Sequence, residues 1–336
     1  MKSLRSWVLG LDPRDVRARV SVEGCDSSRI ARFEAVSGQF LAGYEAALEA
    51  KDLAVLANRL ERMDASLRPF AYQGVGMALA ADDTLAPWRR RTQLDRFLAG
   101  PGHRYEVPLL FGAGAAWGKA GHLARSNFLP PVSEVSSSAA RIQAVLRGLA
   151  YDGWGSQEGL FHADRTIDAA RRPRGVPAEA AGLFDSGVGR SLWMQRGASS
   201  EAIARTIEGF AAERASDLWA GVGYACAMVG GATAAQVDEL VARCGVWRPS
   251  LAQGVALANR VQLRSGGAGA SVAIAVTRVC GLSAAETDRF FEDALLSAVV
   301  EPASGLDAWR TRLRLRFDEA FGARRAKRRT RVPSAY

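Results

Sequence analysis

Histidine and cysteine are scarce in this chain, and each scarcity removes a class of chemistry. Histidine occurs three times, as His103, His122 and His162, and no two have metal-ligand spacing. Cysteine occurs four times, at Cys25, Cys226, Cys244 and Cys280, and no two lie close together. That pattern offers neither a zinc knuckle nor a Cys-x-x-Cys redox site, and it points to buried free thiols. Neither a metal nor a cofactor is expected. No apolar run reaches the roughly 20 residues of a membrane-spanning helix. The stretch from Met1 to Leu11 begins with a base, but its apolar part is too short and interrupted for a secretory signal, so a cytoplasmic protein is expected. The Gly-x-Ser-x-Gly elbow, the phosphate loop and His-Glu-x-x-His are all missing. Standard nucleophilic, ATP-driven and zinc-hydrolytic mechanisms therefore lack support.

Glycine, by contrast, is plentiful, with 34 in 336 residues, and it is ordered. One phrase recurs as Phe70-Ala-Tyr-Gln-Gly74-Val-Gly76, Leu110-Phe-Gly112-Ala-Gly114 and Ala150-Tyr-Asp-Gly153-Trp-Gly155. It returns as Leu183-Phe-Asp-Ser-Gly187-Val-Gly189 and Leu218-Trp-Ala-Gly221-Val-Gly223, with weaker copies at Gly43 and Gly254. The first glycines of the copies lie 31, 38, 41, 34, 34 and 33 residues apart. A period of that size marks stacked supersecondary units.

Most glycine phrases are apolar and are followed by an amphipathic segment. Ile203, Ile207 and Phe210 follow the Gly187 copy at helical spacing. Thr233-Ala-Ala-Gln236 and Ser283-Ala-Ala-Glu286 are capping-box patterns that open further helices. Glycine inside a helix costs about 1 kcal/mol relative to alanine, so a repeated pair needs a compensating close approach. The reading is an all-α array of about seven helix-pair repeats, an α/α toroid or a curved α-solenoid, with the glycines on the crowded inner layer. Alternating βα units are the rival, because Gly-x-Gly after an apolar run resembles a dinucleotide loop. The full Gly-x-Gly-x-x-Gly occurs in no copy, although Gly153-Trp-Gly155-Ser-Gln-Glu-Gly159 comes near.

The organisation expected is an N-terminal segment over 1–30, one helical-repeat domain over 31–300, a C-terminal helix over 301–322 and a basic disordered tail over 323–336. Net charge is +9, and Arg324, Arg325, Lys327, Arg328, Arg329 and Arg331 supply six of those charges. Such a block suits nucleic acid, an anionic membrane surface or a solvated tail, and the solvated tail is preferred. Nothing else in the chain resembles a nucleic-acid module.

Several phrases together resemble one bacterial family. They are Phe70-Ala-Tyr-Gln-Gly-Val-Gly-Met-Ala78 followed by Pro87-Trp88-Arg89-Arg90, the segment ending Phe97-Leu-Ala-Gly100, Gly187-Val-Gly-Arg-Ser-Leu-Trp193, Asp217-Leu-Trp-Ala-Gly-Val-Gly-Tyr-Ala-Cys226 and Arg248-Pro-Ser-Leu-Ala-Gln-Gly254. The family is of unknown function, and its members occur in enediyne polyketide biosynthetic clusters. The resemblance runs from about Leu4 to about Ala298. It implies a role in maturing a highly unsaturated polyketide, with a hydrophobic or carrier-linked polyketide intermediate and polyketide biosynthetic proteins as partners. It brings no established reaction. The family's Gly153 copy carries an aromatic–histidine pair where this chain has Ser156-Gln157, which leaves His162 as the imidazole of this copy.

Polar residues concentrate in the same phrases. Glu158 and His162 are four apart and share a helix face, as an acid–base pair or a surface ion pair would. With Asp152 they are the catalytic candidates, and Gln157 lies beside them. Asp185 and Asp152 occupy similar repeat positions. Asp185 and Arg190 suit either the polar lining of a cavity, with Arg190 holding an anionic group, or salt bridging between repeats. Trp154, Trp193, Tyr72 and Tyr224 are candidates to line a cavity for a planar polyene, or ordinary core. Asp82-Asp83 raises a terpenoid-type cyclase, but capping by Asp83 or Thr84 explains it as well. Three functions follow as expectations: an enzyme or accessory factor binding a polyene in an inner cavity, a non-catalytic scaffold for biosynthetic partners, or a cyclase on an α/α toroid.

Overall fold

A computed structural model describes residues 25–85, 92–120, 138–267, 269–300 and 308–330. The N-terminal segment before Cys25, the Pro87-Trp88-Arg89-Arg90 phrase, His122 and the last six residues lie outside these. Among the described residues there are helices and turns and no strand, as the repeat predicts.

Seven helices carry the glycine copies. They are α1 (Ser27–Glu49), α3 (Arg68–Leu85), α5 (Glu106–Ala120), α7 (Leu149–Phe161), α8 (Ala181–Gln195), α10 (Ala212–Met228) and α12 (Arg248–Ser265). Each packs against the next along the chain, so the seven form one continuous inner row. Between them run shorter helices: α2 (Leu53–Glu61), α4 (Gln93–Leu98), α6 (Ser138–Arg147), α9 (Ser200–Glu208) and α11 (Ala234–Cys244). The two sets differ in burial. Leu183 to Trp193 of α8 are buried without a break, whereas α9 buries only Ser200, Ile203, Ala204 and Ile207. The Thr233 capping box is formed, and Ser283 and Glu286 cap each other's backbone at 2.8 and 3.2 Å.

The inner row is held by a reciprocal contact. A Cβ added at Gly76 would stand 2.1 Å from the carbonyl oxygen of Leu109, and one at Gly112 would stand 1.9 Å from that of Gln73. Leu109 is three residues before Gly112, and Gln73 is three before Gly76. The same reciprocity joins Gly43 with Gly74, Gly114 with Gly153, Gly155 with Gly187, Gly189 with Gly221 and Gly223 with Gly254. In every pair the added Cβ would fall within 2.1 Å of the partner helix's carbonyl oxygen. Only a hydrogen fits there, and Cα–H···O contacts recur at such helix interfaces. The first glycine of each copy therefore faces the preceding helix and the second faces the following one. This explains the weaker copies, since α1 and α12 end the row and each needs one glycine. It also shifts the first copy, whose Gly43 matches the second glycine of the others.

The row curls on itself. Arg29 of α1 donates from Nε to the Gly231 carbonyl at 2.8 Å and from Nη1 to that of Gly197 at 2.9 Å. Arg32 donates to the Val229 carbonyl at 2.7 Å. These carbonyls follow the ends of α8 and α10, so the first helix of the row meets the ends of the fifth and sixth. Phe111 of α5 meets Tyr224 of α10 edge-on, with centroids 5.2 Å apart.

The chain closes with α13 (Ala270–Ala275), α14 (Ala284–Val300) and α15 (Ala308–Thr330). On α15, Trp309, Leu313, Phe317 and Phe321 are buried at every fourth position. Arg310 and Arg314 both bind Asp217 of α10, and Arg314 also donates to Gln253 at 2.9 Å. Burial pushes the Asp217 carboxyl up, but the two guanidiniums outweigh it and hold it below its ordinary value. The helix runs on to Thr330. The segment from residue 323, expected to be disordered, is thus helical over its first eight residues. The apolar stripe of α15 docks the helix, and its bases continue the same turn.

The contact predicts opposite outcomes for one change. Gly187→Ala places a Cβ 1.9 Å from the Asp152 carbonyl oxygen and should cost about 1–3 kcal/mol through overpacking. Gly38→Ala, within α1 and with nothing inside 4 Å, should stabilise by about 0.5–1 kcal/mol. Urea melts of the two variants check this. Equal shifts of one sign would contradict the contact.

Candidate functional site

Glycine contacts occupy two sides of each inner helix, and a third side faces the axis of the curl. The residue three after the first glycine of a copy points there. These residues are Met77, Ala115, Ser156, Arg190 and Tyr224, and all five line one cavity of about 120 Å³. Val36, Phe40 and Phe70 add apolar wall, and Leu160, Phe161 and Met194 add more along α7 and α8. Gln73 and Gln157 supply polar atoms. Six of the seven inner helices, all but α12, contribute.

The charge in this apolar chamber comes from Arg190, which is 6% exposed. Its guanidinium lies 3.8 Å above the Phe111 ring and 5.3 Å from that of Tyr224, cation–π distances both. Its Nε stands 3.2 Å from Oδ1 of Asp152, which is 2% exposed. The contact is an ion pair without hydrogen-bond geometry: Oδ1 of Asp152 and Nη1 of Arg190 are both buried with no hydrogen-bond partner among the described residues. Burial pushes the Asp152 carboxyl above its ordinary value, while Arg190 and the Ser186 hydroxyl draw it back. Burial likewise raises the Tyr224 phenol, so it is protonated at neutral pH.

Of the residues singled out from the sequence, Arg190, Asp152, Tyr224 and Gln157 come together at this chamber. Gln157 and Tyr224 line it beside Arg190, and Asp152 touches it through Arg190. The others go elsewhere. Glu158 is buried, but it accepts from Trp154 Nε1 at 3.1 Å and pairs with Arg165, not with His162. His162 is exposed, because α7 ends at Phe161 and its backbone leaves the helix there. The expected Glu158–His162 pair is therefore not formed.

Asp185 is fully buried between Arg172 and Arg214, each of which grips it with two nitrogens. It precedes its glycine by two residues and Asp152 by one. One residue is about 100° of helix rotation, which turns Asp185 away from the axis. Of the two uses expected for Asp185, it is the salt bridging that the structure displays. Tyr72 stacks on Tyr105 with centroids 3.6 Å apart and donates to Glu61 at 3.1 Å, within the outer layer. Trp193 donates to the Gly230 carbonyl at 2.9 Å, and Trp154 packs edge-on against Phe184. Both are core. Asp83 accepts from the backbone of Gln93 and Leu94 and so caps α4. Among the described residues no group of histidine, cysteine and acidic side chains could hold a metal. Cys226, Cys244 and Cys280 are buried free thiols, as expected. The sequence reading passed over Met77, Ala115 and Ser156, although aligning the copies on their glycines would have placed them beside Arg190.

The fold and the chamber define an all-α helical-repeat protein with a cavity lined by its inner helices. The chain belongs to the family described as "Protein of unknown function (DUF1702)", whose model matches residues 1–317. No curated protein and no solved structure matches it.

These placements predict a contrast in stability. Asp185→Asn leaves two guanidiniums without their charge partner and should cost about 3–5 kcal/mol, as breaking a buried pair does. His162→Ala should stay within about 0.5 kcal/mol of the parent. A melt of each variant is the check, and a large loss at His162 would reverse the assignment.

Proposed function

We propose that this protein binds an elongated polyene-type polyketide intermediate, free or carrier-linked, in the central chamber, and serves enediyne-type biosynthesis. The observation that carries the reading is the chamber itself, with apolar walls from six helices and one buried guanidinium. Ligand sites typically combine a largely apolar lining with a few placed polar groups. A flat conjugated chain suits the walls of Phe40, Phe70 and Phe161, and the family resemblance supplies the metabolic setting. A scaffold would work through an open polar groove, whereas the lining of this cavity is largely apolar. Of the acidic pair that raised the cyclase reading, Asp83 caps α4.

Fluorescence titration with parinaric acid methyl ester, a conjugated tetraene, tests the binding. Emission should rise on binding. Met194→Trp, which adds bulk at a half-buried lining residue, should weaken binding by about tenfold or more, the loss of one good contact. The melting midpoint reports folding. No binding by the parent protein, or equal binding by a folded Met194→Trp variant, would overturn the reading. For the biosynthetic role, mass spectrometry of an enediyne-producing strain lacking the gene should show loss of the product.

A further inference from the structure

The charge state of the chamber restricts what the end of a bound chain can be. Arg190 suggests an anion site when the sequence is read alone. The structure places Asp152 against it at 3.2 Å, so the guanidinium is already matched by one negative charge. Both groups are more than nine-tenths buried. A ligand carboxylate would bring a second negative charge against one positive charge in a site with little water to solvate it, which is costly. Among the polar groups that line the site, one donor nitrogen is left without an acceptor. Nη1 of Arg190 is buried and unpartnered among the described residues, on a side chain that lines the chamber. An unpaired buried donor is itself unfavourable, and a neutral acceptor relieves it without adding charge. The ring of Phe111 closes the site on the face of the guanidinium, so an acceptor must approach in the guanidinium plane.

We infer that the chamber selects chains ending in a neutral carbonyl (an ester, thioester or ketone), whose oxygen accepts a hydrogen bond from Nη1 of Arg190, and that it discriminates against the free carboxylate. Asp152 is the positioning residue that sets this preference, since it cancels the charge that would otherwise attract an acid. The inference rests on the cavity-binding reading above and specifies its substrate as an acyl ester or thioester rather than a free acid.

The test compares parinaric acid with its methyl ester by fluorescence titration at neutral pH, where the acid is ionised. The parent protein should bind the ester about tenfold tighter or more, the scale of one hydrogen bond gained and one unmatched charge avoided. Because an ester is also the more lipophilic probe, Asp152→Asn is the decisive variant. It keeps the shape, removes the negative charge and frees Arg190 for an anion. The ratio of affinities should then move by about tenfold toward the acid. Arg190→Met, which lacks the donor, should lose about tenfold in ester affinity and serves in place of Asp152→Asn if that variant does not fold. Equal or tighter binding of the acid by the parent protein would overturn the inference while leaving the chamber a binding site. So would an unchanged ratio in folded Asp152→Asn, or undiminished ester affinity in folded Arg190→Met. Binding of neither probe would overturn the cavity reading and this inference with it.

Discussion

A glycine α-hydrogen facing a carbonyl oxygen on a neighbouring helix fixes how near two helices can stand. In this protein the contact is made reciprocally six times along one row, by twelve glycines, and at each of the twelve the nearest atoms of the neighbouring helix are backbone. The separation of the inner helices follows from it, and so does the curl that brings α1 against the ends of α8 and α10. The chamber is the space left on the third side of each helix once glycine contacts have used the other two. Helix propensity alone opposes this sequence, because each interior glycine weakens its own helix. Packing offsets that weakness.

The same geometry sorts the charged residues. A carboxylate one residue before the first glycine, Asp152, reaches the guanidinium at the chamber. A carboxylate two residues before it, Asp185, turns to Arg172 and Arg214 in the layer between inner and outer helices. Two acids that look equivalent in the repeat thus do different work. One pairs with the guanidinium that lines the cavity, and the other joins α8 to α10 and to the segment after α7. Asp217 does a third job and ties the C-terminal helix to the row through Arg310 and Arg314.

Much of this architecture is written in the glycine spacing. The seven inner helices, the two capped helices at Thr233 and Ser283 and the buried thiols all follow from local pattern. What local pattern cannot convey is partnership across the sequence. Glu158 looks bound for His162, four residues on, yet α7 stops at Phe161 and the turn that follows brings Arg165 to the carboxylate instead. Arg214 lies 29 residues from Asp185, and nothing in either phrase announces the other. The tail misleads for a different reason. Its dense positive charge reads as unstructured, yet the helix docked by Trp309, Leu313, Phe317 and Phe321 continues into it as far as Thr330.

The central claim is that the glycine contacts shape the chamber. It is tested most directly by the affinity of Gly155→Ala for parinaric acid methyl ester. Gly155 sits where α7 meets α8, two helices that line the cavity, and an added Cβ would stand 1.9 Å from the Phe184 carbonyl oxygen. The account predicts that the folded variant binds the probe about tenfold more weakly or worse, because α7 must move away from α8. A folded Gly155→Ala protein with the parent's affinity would contradict it.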